Sequence, residues 1–89
     1  MRAIVTVIGK DQVGIIAFVC SILAAKNVNI LDISQTVMHE YFTMIMLVDL
    51  SKNDLSFDAL SDTLENSGKE RGLSIRIMRE DIFNAMHRI

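Results

Sequence analysis

The sequence predicts an α+β fold in which four strands and two helices follow one another in the order βαββαβ, with a short helix at the end. Three observations predict it. Apolar residues alternate over four segments, they recur at helical spacing over two segments that separate them, and the chain has 89 residues, room for one core.

The first strand is Arg2 to Ile8, alternating and rich in β-branched residues, with Gly9 read as its end. After the polar stretch Lys10-Asp11-Gln12, apolar residues recur at Ile15, Ile16, Val19, Ile22 and Leu23, the spacing of a helix with one buried stripe. Asp11 is the expected N-cap, its carboxylate accepting from the first N–H groups, and Lys26-Asn27 closes the helix.

Period two returns from Val28 to Met38 and from Tyr41 to Leu50, broken only by His39-Glu40, which predicts a long hairpin. In its second strand Phe42, Met44, Met46 and Val48 share one face, and Tyr41, Thr43, Ile45 and Leu47 the other. Both faces are apolar, so one is expected to lie on the helices and the other against a subunit or a ligand.

Ser51-Lys52-Asn53-Asp54 reads as a loop, and Ser56 as the N-cap of a second helix carrying Phe57, Leu60 and Leu64. Gly68 and Gly72 are its candidate stops. Leu73, Ile75 and Ile77 then alternate with Ser74, Arg76 and Met78 in a fourth strand. From Asp81 to Ile89 the apolar residues Ile82, Phe83, Met86 and Ile89 are helically spaced, which predicts a short amphipathic helix over 81–89. Right-handed crossovers close this order into a ferredoxin-like sandwich, a four-stranded antiparallel sheet with two helices on one face. With no proline and no Gly/Ser-rich linker, residues 1–89 read as a single domain whose core ends near residue 79.

Composition removes several function classes. Nine basic against eleven acidic residues, without a Lys/Arg run longer than a pair, lack the electrostatic footprint of a nucleic-acid binder. There is no run of about 18 apolar residues to span a membrane. The start, Met1-Arg2-Ala3-Ile4-Val5, passes straight into a strand instead of an apolar signal core. Cys20 is the one cysteine, so neither an internal disulfide nor a cysteine-rich metal site is available. The chain reads as cytoplasmic. Its 51% hydrophobic residues exceed what so short a domain buries, which predicts a subunit partner.

The stretch from Gly9 through Asp11, Gln12 and Val13 to Gly14 leads from a strand into a helix, presenting N–H groups at a helix N-terminus. A carboxylate suits that place, because it accepts from those groups at the positive end of the helix dipole, and Gly14 has no Cβ to block its approach. The same residues also suffice for a tight turn with a cap.

Gly9-Lys10-Asp11-Gln12-Val13-Gly14-Ile15, followed after one helix by Asn27-Val28-Asn29-Ile30-Leu31-Asp32-Ile33-Ser34-Gln35, resembles the ACT domains, amino-acid-responsive modules attached to or standing beside metabolic enzymes. The resemblance covers residues 1 to 79, and the ending Ile82-Phe83-Asn84-Ala85-Met86 is similar to that of short stand-alone ACT proteins of bacteria and archaea. It implies a homodimer with sheets side by side across a two-fold, or a tetramer built of such dimers. It further implies an amino acid held between the first loop of one subunit and the second strand of its neighbour. On that pattern Asp11, Gln12, Val13 and Gly14 line the pocket through their backbone, and Asn29 and Ile30 approach from strand two. An amide such as Asn29 donates to a carboxylate and accepts from an ammonium group, although it equally caps a turn after the first helix. Asp32, Ser34 and Gln35 are secondary candidates.

The implied function is a non-catalytic regulatory module that senses an amino acid and acts on a separate enzyme or regulator, without cofactor or metal. The main alternative is a protein-interaction module that needs no ligand. A small hydrolase of the acylphosphatase type shares the element order but wants an arginine in the first loop, which offers only Lys10. An RNA-recognition domain wants base-stacking aromatics on its central strands, where this chain has only Tyr41 and Phe42. His39 and His87 have no neighbours at metal-ligand spacing.

Overall fold

The alternating segments become strands β1 (Arg2–Lys10), β2 (Asn29–Met38), β3 (Tyr41–Asp49) and β4 (Ser74–Arg79), and the helically spaced ones α1 (Ile15–Ala25), α2 (Phe57–Lys69) and α3 (Glu80–Met86). This computed structural model describes residues 1–86; the part of the expected terminal helix at 87–89, with His87 and Ile89, lies outside the described residues. The strands form one sheet in the order β2-β3-β1-β4, antiparallel at every pairing. The expected βαββαβ sandwich with an added helix is therefore what forms.

Side chains paired across an antiparallel ladder share a face, so the register sorts the sheet. Ala3, Val5 and Val7 of β1, Phe42, Met44, Met46 and Val48 of β3, and Ile75 of β4 turn to one side. They are buried there with Ile15, Val19 and Leu23 of α1 and Leu60 and Leu64 of α2. The split of β3 into two faces is as its alternation predicts. On the opposite, helix-free side the register gives three rows: Asp32-Leu47-Ile4-Met78, Ser34-Ile45-Thr6-Arg76 and Thr36-Thr43-Ile8-Ser74.

Four local expectations are corrected. Gly9 does not end β1: it pairs with Phe42, and the strand runs on to Lys10 opposite Tyr41, because the hairpin partner extends that far. Asp11 does not cap α1. Gly14, left-handed at φ 87°, is the N-cap residue, and no side chain caps the helix, whose first turn starts too late for Asp11 to reach. Gly68 lies inside α2 and is buried, while the left-handed turn falls at Gly72, φ 69°. The terminal helix starts at Glu80, one residue early, with Glu80 taking two hydrogen bonds from the Arg2 guanidinium at 3.0 and 2.7 Å. Ser56 does cap α2, its hydroxyl accepting from the Ala59 N–H at 3.1 Å.

Candidate functional site

The loop from Asp11 to Gly14 stands at the Lys10 end of the sheet and is held from two sides. The Asp11 N–H donates to the Glu40 carbonyl in the β2–β3 turn at 2.7 Å, and the Gln12 side-chain amide donates to the Arg71 carbonyl at 3.1 Å. Val13 is 98% exposed, an apolar side chain with nothing of its own chain to cover it. Gly14 begins the helix, its carbonyl accepting from the Phe18 N–H at 2.9 Å, so the preceding N–H groups of the first turn point out of the helix end.

Beside this helix end lies a residue that the sequence reading did not single out. Arg71, in the turn between α2 and β4, stacks its guanidinium 4.4 Å from the Phe18 ring centroid. A Cβ built on Gly14 would meet Arg71 Nη1 at 3.7 Å as its nearest neighbour. The arrangement sets a planar fork of N–H donors next to the positive end of a helix, both of which attract a carboxylate. Nothing local marks Arg71: it is 57 positions from Gly14, and only the β1–β4 pairing brings the two turns together.

Asn29 stands elsewhere. It opens β2 opposite Asp49, in line with Arg2, whereas the Gly14 loop follows Lys10 at the other end of β1. Eight residues of strand at about 3.3 Å each put roughly 26 Å between these ends. Asp11, Gln12, Val13 and Gly14 are thus brought together, and Asn29 is not brought to them within one chain. Ile30 is half-buried, paired with Val48 on the helix-covered side and packed against the core.

Around Asn29 the surface forms a polar hollow of about 460 Å³ lined by Asn27, Asn29, Asp49, Ser51 and Lys52. Asp49 accepts hydrogen bonds from the Ser51 hydroxyl and N–H, and these, with weaker attraction from the N-terminal ammonium and Arg2, hold its carboxyl below the ordinary carboxylate range. The hollow thus sets a solvent-facing carboxylate beside an amide, a pair that suits an ammonium group, with the Lys52 cation opposing it on the rim.

β2 is an outer strand of the sheet, and every residue of it except Ile30 is exposed. Leu31, Ile33 and Val37 are among its exposed apolar side chains, and Asp32 is its one charge. A bulge between Ile30 and Asp32 shifts the register there, putting Asp32 on the helix-free side. No cluster of three His, Cys, Asp or Glu side chains able to hold a metal occurs among the described residues, and no described helix is long and apolar enough to cross a membrane.

Comparison with known proteins bears on this geometry. A family model described as an ACT domain matches residues 2–78. The chain is similar over its whole length to the UPF0237 protein of Clostridium acetobutylicum, 62% identical over 89 residues with all of both chains covered. It is 52% identical to the UPF0237 protein of Listeria innocua, again over all of both chains. Among solved structures, an ACT domain protein from Streptococcus pneumoniae superposes with a TM-score of 0.84 at 44% identity, covering 98% of each chain.

Proposed function

This chain belongs to the ACT-domain family of regulatory ligand-binding modules, and from that premise we propose that it senses an amino acid at a seam between two copies joined edge to edge through β2, and signals to a separate partner protein. The observation that carries the reading is the Arg71 guanidinium fixed beside the uncapped end of α1. An exposed guanidinium gains little from stacking on Phe18 alone. Together with the N–H groups past Gly14 it forms a two-sided receptor for a carboxylate.

The other half of an amino acid needs a receptor for its ammonium, and the hollow around Asn29 and Asp49 has that chemistry. Because it lies about 26 Å along the strands from Gly14, a single chain does not complete the site. A two-fold that pairs β2 with its copy turns the Asn29 end of one chain toward the Gly14 end of the other, and also covers the exposed Ile33 and Val37. A long, nearly uncharged edge without proline is what such pairing requires and what a solitary domain avoids.

The test is a thermal-shift and calorimetric panel of the twenty amino acids on the purified chain, with Arg71→Gln and Gly14→Ala alongside. One amino acid raises the melting temperature selectively. Hydrogen bonds to a charged group contribute about 1.5 to 3 kcal/mol, so Arg71→Gln weakens that binding roughly 10- to 100-fold. Gly14→Ala places a methyl toward Arg71 and strains the left-handed φ by about 1 to 2 kcal/mol, abolishing binding. A flat panel on a stable dimer moves the reading to a protein-interaction module without a ligand.

A further inference from the structure

On the helix-free side of the sheet a polar pair stands next to an apolar one. Thr6 of β1 lies directly opposite Arg76 of β4, and Ile4 opposite Met78 lies two residues on, about 6.6 Å along the strands. α3 rests on β1 and β4, its start held by the two bonds from Arg2 to Glu80. Beneath it runs a groove of about 460 Å³ whose lining includes Ile4, Thr6, Ile45, Arg76, Met78 and Phe83. That size lies within the range of small-molecule sites, as does an apolar wall with few polar groups.

The two polar groups are unspent. The Thr43 and Thr63 hydroxyls each donate to a backbone carbonyl, and Arg2 bonds Glu80 twice. Among the described residues neither the Thr6 hydroxyl nor any N–H of Arg76 makes a hydrogen bond. Arg76 meets only Glu65, Nη1 to Oε1 at 4.0 Å, too long for a hydrogen bond, which leaves Nε and Nη2 without a partner. An exposed arginine alone is an ordinary surface group. Here it ends an apolar groove, with a second donor beside it on the same row.

We propose that this groove is a second ligand site, separate from the helix end at Gly14, and that it takes an apolar monocarboxylate, a short alkyl or aryl acid. The carboxylate accepts from the Arg76 fork and the Thr6 hydroxyl. The apolar body extends one row onward, between Ile4 and Met78 below and Phe83 above. Charge selects against an amino acid here. Its ammonium, one bond from the carboxylate carbon, would fall on the apolar row, where no anion faces it. Glu65 belongs to α2 on the other side of the sheet and reaches Arg76 around the β4 edge, so it opposes the ligand head from behind. Asp32 shares the row of Ile4 but stands three strands from Met78, about 14 Å. Surface charge is largely screened beyond about 8 Å at physiological salt.

Calorimetry and backbone amide shifts on the purified full chain test this, with octanoate and phenylacetate as probes and acetate and octylamine as controls. Both probes are expected to bind and to move the amides of Thr6, Arg76 and Phe83, and both controls to fail, one lacking the body and the other the charge. Arg76 and Ile45 are exposed, so substitutions there leave the fold intact. Arg76→Gln weakens octanoate about tenfold, the loss of a charged hydrogen bond. Ile45→Asp, which sets a like charge against the ligand, abolishes binding, and Glu65→Gln tightens it severalfold. Arg71→Gln leaves it unchanged, since that arginine belongs to the other site. No binding at millimolar octanoate, acetate binding as well as octanoate, or an affinity that Arg76→Gln does not lower overturns the inference. Octanoate binding lost in Arg71→Gln but kept in Arg76→Gln also overturns it, and returns the carboxylate to the end of α1.

Discussion

At Gly68 the two layers touch without a side chain between them. A Cβ there would lie 2.7 Å from the Leu73 carbonyl oxygen and 2.9 Å from Ile75 Cγ1, inside α2, where neither helix nor strand has room to retreat. Gly9 is different. Its Cβ would meet Leu73 Cδ2 at 2.6 Å, the far end of a buried side chain, and the nearest backbone atom, the Gly72 carbonyl oxygen, only at 3.3 Å. Overpacking a closed core costs about 1 to 3 kcal/mol, so Gly68→Ala is expected at the upper end of that range and Gly9→Ala near its foot, read as urea midpoints at unchanged slope. Equal losses would show that α2 shifts off β4 at little cost. Neither role was legible in the sequence, because a glycine that ends a helix and one that lets a strand approach have the same one-letter neighbourhood. Gly14 was legible, since a strand, a polar loop and a helix surround it in order. Arg71 was not: its place is set by a tertiary pairing, and an isolated arginine in a turn carries no periodic signal.

At the scale of elements, what could be read was what repeats. The four strands and two core helices follow from period two and period 3.6, and the two faces of β3 follow from alternation alone, because a buried stripe must recur to be buried. Ends were less legible, since they depend on partners. β1 runs past Gly9 because β3 is there to pair with it. The helix caps show the same contrast. Ser56 bonds the Ala59 N–H, whereas Asp11 spends its backbone on Glu40 and caps nothing. Removing a cap side chain costs about 1 kcal/mol. Ser56→Ala should therefore lower stability by about that amount, and Asp11→Ala by a few tenths at most, measured by chemical denaturation. A loss at Asp11 as large as at Ser56 would mean that α1 frays back to a capped start in solution.

At the scale of the molecule, the fold could be read and the candidate site only by halves. The order of elements settles the sheet, but the sheet then holds Gly14 and Asn29 at opposite ends, so no reading of one chain assembles a pocket from them. That separation makes a prediction which a pocket within one chain would not. If the ligand needs both halves, it binds only joined copies, and binding and association are linked. A ligand that binds one state alone stabilises it by about 2.7 kcal/mol at a hundred times its dissociation constant. Each bound amino acid should then lower the dissociation constant of the seam by about 100-fold under those conditions. Sedimentation of diluted protein should show single chains without the effector and joined chains with it, and the apparent affinity for the amino acid should fall as the protein is diluted. An affinity independent of protein concentration, measured across the range where the chains separate, would place the ligand wholly on one chain. Arg71 and the α1 end would then be the entire receptor, and the Asn29 hollow no part of it.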